Sequence, residues 1–330
     1  MRGGERGRCF SLRKLGRRWL RVLLVAALGV VPLDAGKAHA QGWGLWGVTC
    51  WTGSACITVG EAGTILVSVD AGAGWRSRSS GTEVALIGIA CPTSRTCVAV
   101  GGQATILLST DGGVSWQLRA NPFTGSYITL SSIVCRTRSA CLAVGTSGII
   151  LASADGGVSW HRRPSGTSES LVGIICRPAG SCLVVGYGGT VLASTDGGTT
   201  WRHRASGTSN PIGSVVCPTR GACVAVGMFG TTLSSADGGT SWHVHGVDPN
   251  TSLFGVACPA TSMCLAAGTT GTMLASADGG NKWTSRAVPT RDNLHAITCA
   301  GPKTCLAVGE NGVILVSTDA GTNWHNRSSM

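Results

Sequence analysis

Short apolar runs separated by turn residues recur along most of the chain. In residues 86–120, Leu86–Cys91, Cys97–Val100 and Thr105–Ser109 are apolar on both faces, and Trp116–Arg119 begins a more polar segment. Turns rich in Pro, Gly, Ser and Asp separate these runs, which predicts four short β-strands. Strands that are apolar on both faces belong to sheets packed on both sides. The polar fourth strand is typical of an outer edge protected by charge.

A second pattern, S-x-D-x-G-x-x-W, recurs seven times in the same register, with a period of 41 residues that lengthens once to 44. Repeats of about this length indicate a propeller, solenoid or array. Four strands per repeat favour an all-β fold, a seven-bladed β-propeller of four-stranded blades. The repeats are expected at about residues 45–85, 86–129, 130–170, 171–211, 212–252, 253–293 and 294–330, so that residues 41–330 form one propeller. We expect the ring to close by packing between blades 7 and 1.

The repeated positions of this box have a structural explanation. The Asp can accept backbone N–H bonds from the turn ahead of it, the Gly can take positive φ, and the Trp can cover the turn. Seven copies favour a structural role over the alternative, a carbohydrate or metal site. The residues are Asp70, Trp75, Asp111, Trp116, Asp155, Trp160, Asp196, Trp201, Asp237, Trp242, Asp278, Trp283, Asp319 and Trp324.

Fourteen of the 15 cysteines form seven C-x5-C pairs, one per repeat. An even, paired set is typical of disulfides in an oxidising compartment. Zinc is the alternative, but the spacing does not fit zinc knuckles and no His recurs beside the pairs. The expected disulfides are Cys50–Cys56, Cys91–Cys97, Cys135–Cys141, Cys176–Cys182, Cys217–Cys223, Cys258–Cys264 and Cys299–Cys305.

Residues 1–40 resemble a secretory signal peptide. Basic residues precede the short apolar run from Val22 to Leu33, and Ala38-His39-Ala40 fits a cleavage signal. Cleavage after Ala40 would leave no membrane span, and an uncleaved anchor is the alternative. The chain is therefore expected to be secreted, periplasmic or otherwise extracytoplasmic. The fifteenth cysteine, Cys9, lies in this segment.

The net charge of +11 does not indicate nucleic-acid binding. Residues 1–40 hold nine of the 26 basic residues and two of the 15 acidic ones, so the remainder is close to neutral. We therefore expect a protein partner, no nucleic acid, no cofactor, no metal and a monomeric propeller.

The repeats match the Asp-box, or bacterial neuraminidase, repeat. The fuller pattern from Cys141 to Trp160, C-L-A-V-G-x-x-G-x-I-L-x-S-x-D-G-G-x-x-W, resembles propellers of the photosystem II stability/assembly factor-like family. This resemblance covers residues 45–330. It implies an extracytoplasmic seven-bladed propeller that binds protein, as an assembly chaperone in the characterised members. The paired cysteines depart from that family's pattern.

The Asp box also occurs in sialidases, but the catalytic residues of a sialidase are not recognisable in this chain. A sialidase resemblance would imply an arginine triad and a Tyr–Glu pair, but the chain has only two tyrosines and no Phe-Arg-Ile-Pro-like motif near residue 41. No metalloprotease, nucleophile-elbow or phosphate-loop motif is present. We therefore expect a non-catalytic scaffold or assembly factor. The first alternative is a carbohydrate-binding propeller (a lectin), and the second is a sialidase-like glycoside hydrolase.

Two groups of loop residues are candidate partner sites. An aromatic group, expected on the face that carries the B–C and D–A connections, contains Phe123, Tyr127, Tyr187, Met228 and Phe229. Its alternative is that these side chains cover a rim or plug the channel. A basic group lies in the A–B turns, and it predicts that the face carrying these turns is positive and the opposite face negative. Its alternative is that these charges are scattered on loops and have no function. The basic group contains Arg95, Arg136, Arg138, Arg177, Arg220 and Lys303.

Overall fold

The computed structural model describes residues 43–123, 126–177 and 179–328, so the predicted signal peptide and its cleavage site lie outside the described residues. The described residues form seven antiparallel sheets, each of four strands that are consecutive in sequence. This confirms the seven-bladed β-propeller. The strands are lettered A to D from the channel outwards.

The strands of the first four blades have the following bounds. Blade 1 contains β1 (Leu45–Cys50), β2 (Cys56–Gly60), β3 (Ile65–Ser68) and β4 (Arg76–Arg78). Blade 2 contains β5 (Leu86–Ala90), β6 (Cys97–Gly101), β7 (Ile106–Ser109) and β8 (Gln117–Leu118). Blade 3 contains β9 (Leu130–Cys135), β10 (Cys141–Gly145), β11 (Ile150–Ser153) and β12 (His161–Arg163). Blade 4 contains β13 (Leu171–Cys176), β14 (Cys182–Gly186), β15 (Val191–Ser194) and β16 (Arg202–Arg204).

The last three blades repeat this arrangement. Blade 5 contains β17 (Ile212–Val216), β18 (Cys223–Gly227), β19 (Thr231–Ser235) and β20 (His243–Gly246). Blade 6 contains β21 (Leu253–Ala257), β22 (Cys264–Gly268), β23 (Met273–Ser276) and β24 (Thr284–Ser285). Blade 7 contains β25 (Leu294–Cys299), β26 (Cys305–Gly309), β27 (Ile314–Ser317) and β28 (His325–Asn326). Short 3₁₀ turns join strands B and C in six blades: Glu61–Gly63, Gly102–Ala104, Thr146–Gly148, Tyr187–Gly189, Thr269–Gly271 and Glu310–Gly312.

The hydrophobic core lies between consecutive blades rather than within one blade. Seven clusters of buried side chains each combine residues from two neighbouring blades. The cluster that joins the ends of the ring contains Leu45 and Trp75 of blade 1 with Leu306 and Val316 of blade 7. The inner strand β25 also contacts β1, as every other inner strand contacts the next. Packing between blades 7 and 1 therefore closes the ring, as the sequence predicted.

Small residues let the inner strands approach one another. A Cβ added to Gly47 on β1 would lie 2.4 Å from the carbonyl oxygen of Ile87 on β5. A Cβ on Gly88 would lie 3.1 Å from the Cα of Ser132 on β9. Because the seven inner strands crowd around one axis, their third position holds glycine, serine or alanine.

The seven predicted disulfides are confirmed, one per blade. Each joins the last residue of strand A, or the residue just after it, to the first residue of strand B, with S–S distances between 2.00 and 2.13 Å. The second cysteine of each pair is buried, as at Cys97 and Cys141. The disulfides therefore lie where the A–B hairpin turns, at one end of each blade.

The box residues form the hydrogen bonds that the sequence predicts. In blade 3, Ser153 donates its hydroxyl to Asp155, whose Oδ1 accepts the backbone N–H groups of Val158 (3.1 Å) and Ser159 (2.9 Å). The Trp160 indole donates to the Gly157 carbonyl oxygen at 3.0 Å, and Gly157 has a φ of 95°. Because these partners lie within one turn, the hydrogen bonds of the box are local to the C–D hairpin.

The same hydrogen bonds hold the box aspartates in their charged form. Bonds from Ser159, first from its hydroxyl and then from its backbone N–H, lower the pKa of Asp155 to about 2. Equivalent bonds from Ser115 lower the pKa of Asp111 to about 2, and bonds from Asn323 do the same for Asp319. Donors aimed at the carboxylate favour its ionised state. The box aspartates are therefore negative charges at neutral pH.

Candidate interaction face and channel mouth

The two ends of the blades form two different faces. On the first, here named the disulfide face, each C–D box turn bonds to the A–B turn of its own blade. The Gly112 N–H donates to the Arg95 carbonyl oxygen at 2.7 Å, and the Ala320 N–H donates to that of Lys303 at 2.8 Å. The B–C and D–A connections lie together at the opposite end, here named the loop face, where the Gly102 N–H donates to the Ala85 carbonyl oxygen.

The six predicted basic residues lie in A–B turns on the disulfide face, but this face is not uniformly positive. The seven charged box aspartates lie beside them, and with Lys282 the face carries seven basic and seven acidic side chains. The predicted positive face does not include the charges of the box aspartates, to which the sequence assigns a structural role. The face carries both signs.

Arg177 also has structural contacts that limit its use as a free charge. Its guanidinium donates to Cys223 Sγ of blade 5 at 2.8 Å and to Ser181 Oγ at 3.3 Å. Partial burial lowers the pKa of Arg177 from its usual value. This arginine therefore links blades 4 and 5.

The predicted aromatic group lies on the loop face, but the structure divides it. Tyr127 is fully exposed, and Tyr187 and Phe229 expose 43% and 59% of their surface. Met228 lies half-buried in the wall of the central channel, together with Tyr187. Phe123 instead packs against the core between blades 2 and 3, with the Arg162 guanidinium 5.7 Å from its ring centroid. Four of the five residues are thus available to a partner, and Phe123 is a packing residue.

Phe229 occupies a backbone position that disfavours it. Its φ is 55°, in the left-handed region. The same turn position in the other six blades is also left-handed, and its residues are small or polar: Ala62, Gln103, Ser147, Gly188, Thr270 and Asn311. A bulky residue with positive φ costs free energy. An exposed Phe here does not recover that cost by packing in the core.

The central channel has a volume of about 900 Å³ and is lined by the inner strands. Each inner strand has a register shift around its second residue, as between Leu45 and Gly47 on β1. A β-bulge re-aims the side chain it carries. The bulged residues all line the channel, and they differ from blade to blade: Trp46, Ile87, Ser131, Val172, Gly213, Phe254 and His295.

A second ring of divergent residues lies at the mouth of this channel on the loop face. The first residue of each B–C turn donates its backbone N–H to the residue that precedes strand A, as Tyr187 does to Ser170 at 2.9 Å. The ring consists of Glu61, Gly102, Thr146, Tyr187, Met228, Thr269 and Glu310. Tyr187 and Met228 are therefore on the side of the ring opposite the two glutamates.

The bulged residues of blades 6, 7 and 1 form a cluster of three rings. Trp46 stacks on His295 with ring centroids 4.1 Å apart, and Phe254 lies tilted against His295 at 5.5 Å. His295 Nε2 lies 3.8 Å from Glu310 Oε1 and has no hydrogen-bond partner within the described part of the chain. Burial lowers the pKa of His295, although the nearby charges of Glu310 and Glu61 oppose this effect.

Sequence reasoning missed this cluster. The preceding position of each inner strand is a buried Leu or Ile in all seven blades, as at Leu45 and Leu294, whereas the bulged position varies freely. That contrast within the repeat is the signal that could have found the cluster.

The described residues contain no group of three or more His, Cys, Asp or Glu side chains placed to hold a metal ion. Within residues 43–123, 126–177 and 179–328, no helix is long and apolar enough to cross a membrane.

These features define an Asp-box β-propeller with one disulfide per blade, a uniform frame and a divergent loop face. Residues 235–328 match the model of the family described as Photosynthesis system II assembly factor YCF48, which confirms the resemblance seen in the repeats. No curated protein sequence matches the chain.

Solved structures with the same fold include two YCF48 proteins. A structure described as YCF48 bound to D1 peptide has 19% identity and a TM-score of 0.70, over 84% of this chain and 92% of that one. YCF48 from Cyanidioschyzon merolae has 19% identity and a TM-score of 0.69, over 86% of this chain and 98% of that one.

The GH74 xyloglucanase from Xanthomonas campestris is also similar in fold. It has 12% identity and a TM-score of 0.71, over 89% of this chain but 55% of its own. At such identities each likeness shows a shared fold alone, and a fold of this kind carries both binding proteins and enzymes.

Proposed function

We propose that this protein is a non-catalytic, protein-binding propeller that acts as an assembly or stability factor outside the cytoplasm. Its partner binds on the loop face, at a surface that includes Tyr127, Tyr187, Met228 and Phe229. The observation that carries this proposal is Phe229, an exposed aromatic side chain in a left-handed turn position where the other blades have small or polar residues. Exposed aromatic residues on loops are typical anchors of protein interfaces.

The contrast between frame and loops supports a single composite surface. The box residues and disulfides repeat in every blade, whereas the mouth residues change from Glu61 to Tyr187 to Met228. A propeller that bound several identical ligands would need a repeated set of polar groups on its loops. Divergent loops on a rigid frame instead suit one large partner.

The disulfides agree with the proposed cellular setting, and a solved neighbour agrees with binding to a segment of a protein. Seven disulfides persist in oxidising compartments, outside the reducing cytoplasm. A solved neighbour over most of the chain is the YCF48 protein described with a bound D1 peptide, and by analogy this chain binds a segment of its own protein partner.

The experiment compares partner capture by matched variants. The propeller is immobilised and exposed to the extracytoplasmic proteins of the cells that make it. We expect Tyr187→Ala with Phe229→Ala to lose the proteins captured by the wild type. The control, Val114→Ala with Val158→Ala, removes two exposed apolar side chains from the disulfide face and should retain them. Equal capture by wild type and both variants, or equal loss in both variants, would contradict the proposed surface.

A further inference from the structure

One side of the channel mouth differs from the rest of the ring. Phe254, His295 and Trp46 place three rings side by side on consecutive inner strands. Across the channel the same position is occupied by Ser131 and Val172. Since the neighbouring core position is a fully buried Leu or Ile in every blade, packing of the blades does not require these rings.

His295 is the central member of this group. Its side chain is 9% exposed, and Trp46 and Phe254 contact it. Buried imidazole nitrogens normally have a hydrogen-bond partner, yet Nε2 has none among the described residues. Burial lowers the pKa of His295, which favours the neutral form of the ring.

Two carboxylates lie at the rim above these rings. Glu310 accepts a hydrogen bond from the Asn293 side chain at 2.8 Å and leaves 44% of its side chain exposed. Glu61 is held by the Gly44 N–H at 3.1 Å. In the described part of the chain, neither carboxylate forms an ion pair with a lysine or arginine. Arg291 on the preceding loop is exposed, and it too makes no ion pair there.

Rings below two unpaired carboxylates are complementary to an organic cation with a flat or apolar body. A guanidinium group stacks on aromatic faces and donates to carboxylates in pairs. The channel below is lined mainly by apolar side chains and has room for the aliphatic stem. Aromatic rings contribute nothing to the oxygen shell of a hard metal ion, so the cluster favours an organic cation over a metal.

We propose that the channel mouth at blades 6, 7 and 1 binds an arginine side chain carried by the protein partner. The guanidinium lies between Glu61 and Glu310, against the Trp46–His295 stack. Tyr187 and Met228, on the opposite side of the mouth, contact the apolar residues that flank this arginine. This inference rests on the proposed function because it identifies one chemical feature of the partner.

The test uses a small probe, so that it does not depend on finding the partner. N-acetyl-arginine amide is titrated against the propeller, and the indole N–H resonance of Trp46 is followed by NMR, with Trp46→Phe used to assign it. We expect a saturable shift. The uncharged citrulline derivative, which has nearly the same shape, should bind at least tenfold more weakly.

Three variants locate the site. Glu310→Gln and Glu61→Gln should each weaken binding of the arginine probe at least threefold, whereas Glu169→Gln, an exposed carboxylate elsewhere on the loop face, should leave it unchanged. Equal binding of the citrulline derivative, no saturable shift, or an equal loss in Glu169→Gln would overturn the arginine site. Capture of a partner by the wild type but not by the Tyr187 and Phe229 variant would still support the proposed function, so the two failures are distinguishable.

Discussion

Replacing Cys91 with alanine removes one disulfide while the six others remain intact. The bridge closes a ring of seven residues, and the loop-entropy relation for such a ring gives about 2 kcal/mol of stabilisation through the unfolded chain. Cys91 is only partly buried, whereas Cys97 is fully buried in the core between blades 1 and 2. The single substitution therefore removes the cross-link and leaves the buried sulfur in place.

The double variant Cys91→Ala with Cys97→Ala also removes that sulfur. Loss of its packing should cost about 1 kcal/mol more, for a total of about 3 kcal/mol. For a domain of this size, the single substitution should lower the melting temperature by about 4 °C. The measurement is guanidinium unfolding followed by tryptophan fluorescence, with free energies extrapolated to water.

The seven bridges also provide an internal comparison. All of them close rings of the same length, with Cα–Cα distances of 4.0 to 4.1 Å. Removing the first cysteine of any other pair should therefore cost about the same as Cys91→Ala. A loss below about 0.5 kcal/mol for Cys91→Ala, or a large spread among blades, would refute the argument that ring size sets the stabilisation.

Three further predictions follow from the backbone and the box. Phe229→Asn should raise the free energy of unfolding by about 1 kcal/mol, because Asn tolerates left-handed φ. Partner capture by the same variant should fall. A lower free energy of unfolding would show instead that Phe229 is a packing residue. Stability should be full above about pH 4 and fall towards pH 2, because the box carboxylates have lowered pKa values in the folded state. Asp155→Asn should remove the share of this dependence that comes from one of the seven box carboxylates, and urea unfolding at several pH values measures it. Gly47→Ala should lower the free energy of unfolding by about 2 kcal/mol, because its Cβ would clash with the Ile87 carbonyl oxygen. The control is Gly53→Ala, whose Cβ would have open space around it. Equal losses of stability in the two variants would contradict the close approach of the inner strands.

The sequence was sufficient for the repeating frame because the frame depends on neighbours within one repeat. Cys91 and Cys97 face each other across one hairpin, and Asp155 bonds to residues three and four positions ahead. Short-range spacing therefore predicted the strand order, the seven bridges and the box geometry. This local unit occurs seven times along the chain, and the seven blades it forms arrange their inner strands around one axis.

The strand order places the A–B and C–D turns on one face, but it does not show how closely the charges of these turns approach one another. The acidic box turns were known to precede strand D, and the basic residues were known to follow strand A. Only the hydrogen bonds between the two kinds of turn, such as Gly112 to Arg95, show how closely their charges intermix. Phe123 illustrates the same limit, since its place in the core between blades 2 and 3 depends on the fold of a loop with no repeat to guide it.

Only the tertiary structure shows which side chains meet at the channel mouth. Trp46 and His295 are 249 positions apart in sequence, and they stack because ring closure places blade 7 beside blade 1. A bulge in each inner strand then turns its second residue into the channel, which strand alternation does not predict. The sequence supplied the residues and the repeat. Closure of the ring and the bulges determined which side chains meet, because both depend on contacts between strands of different blades.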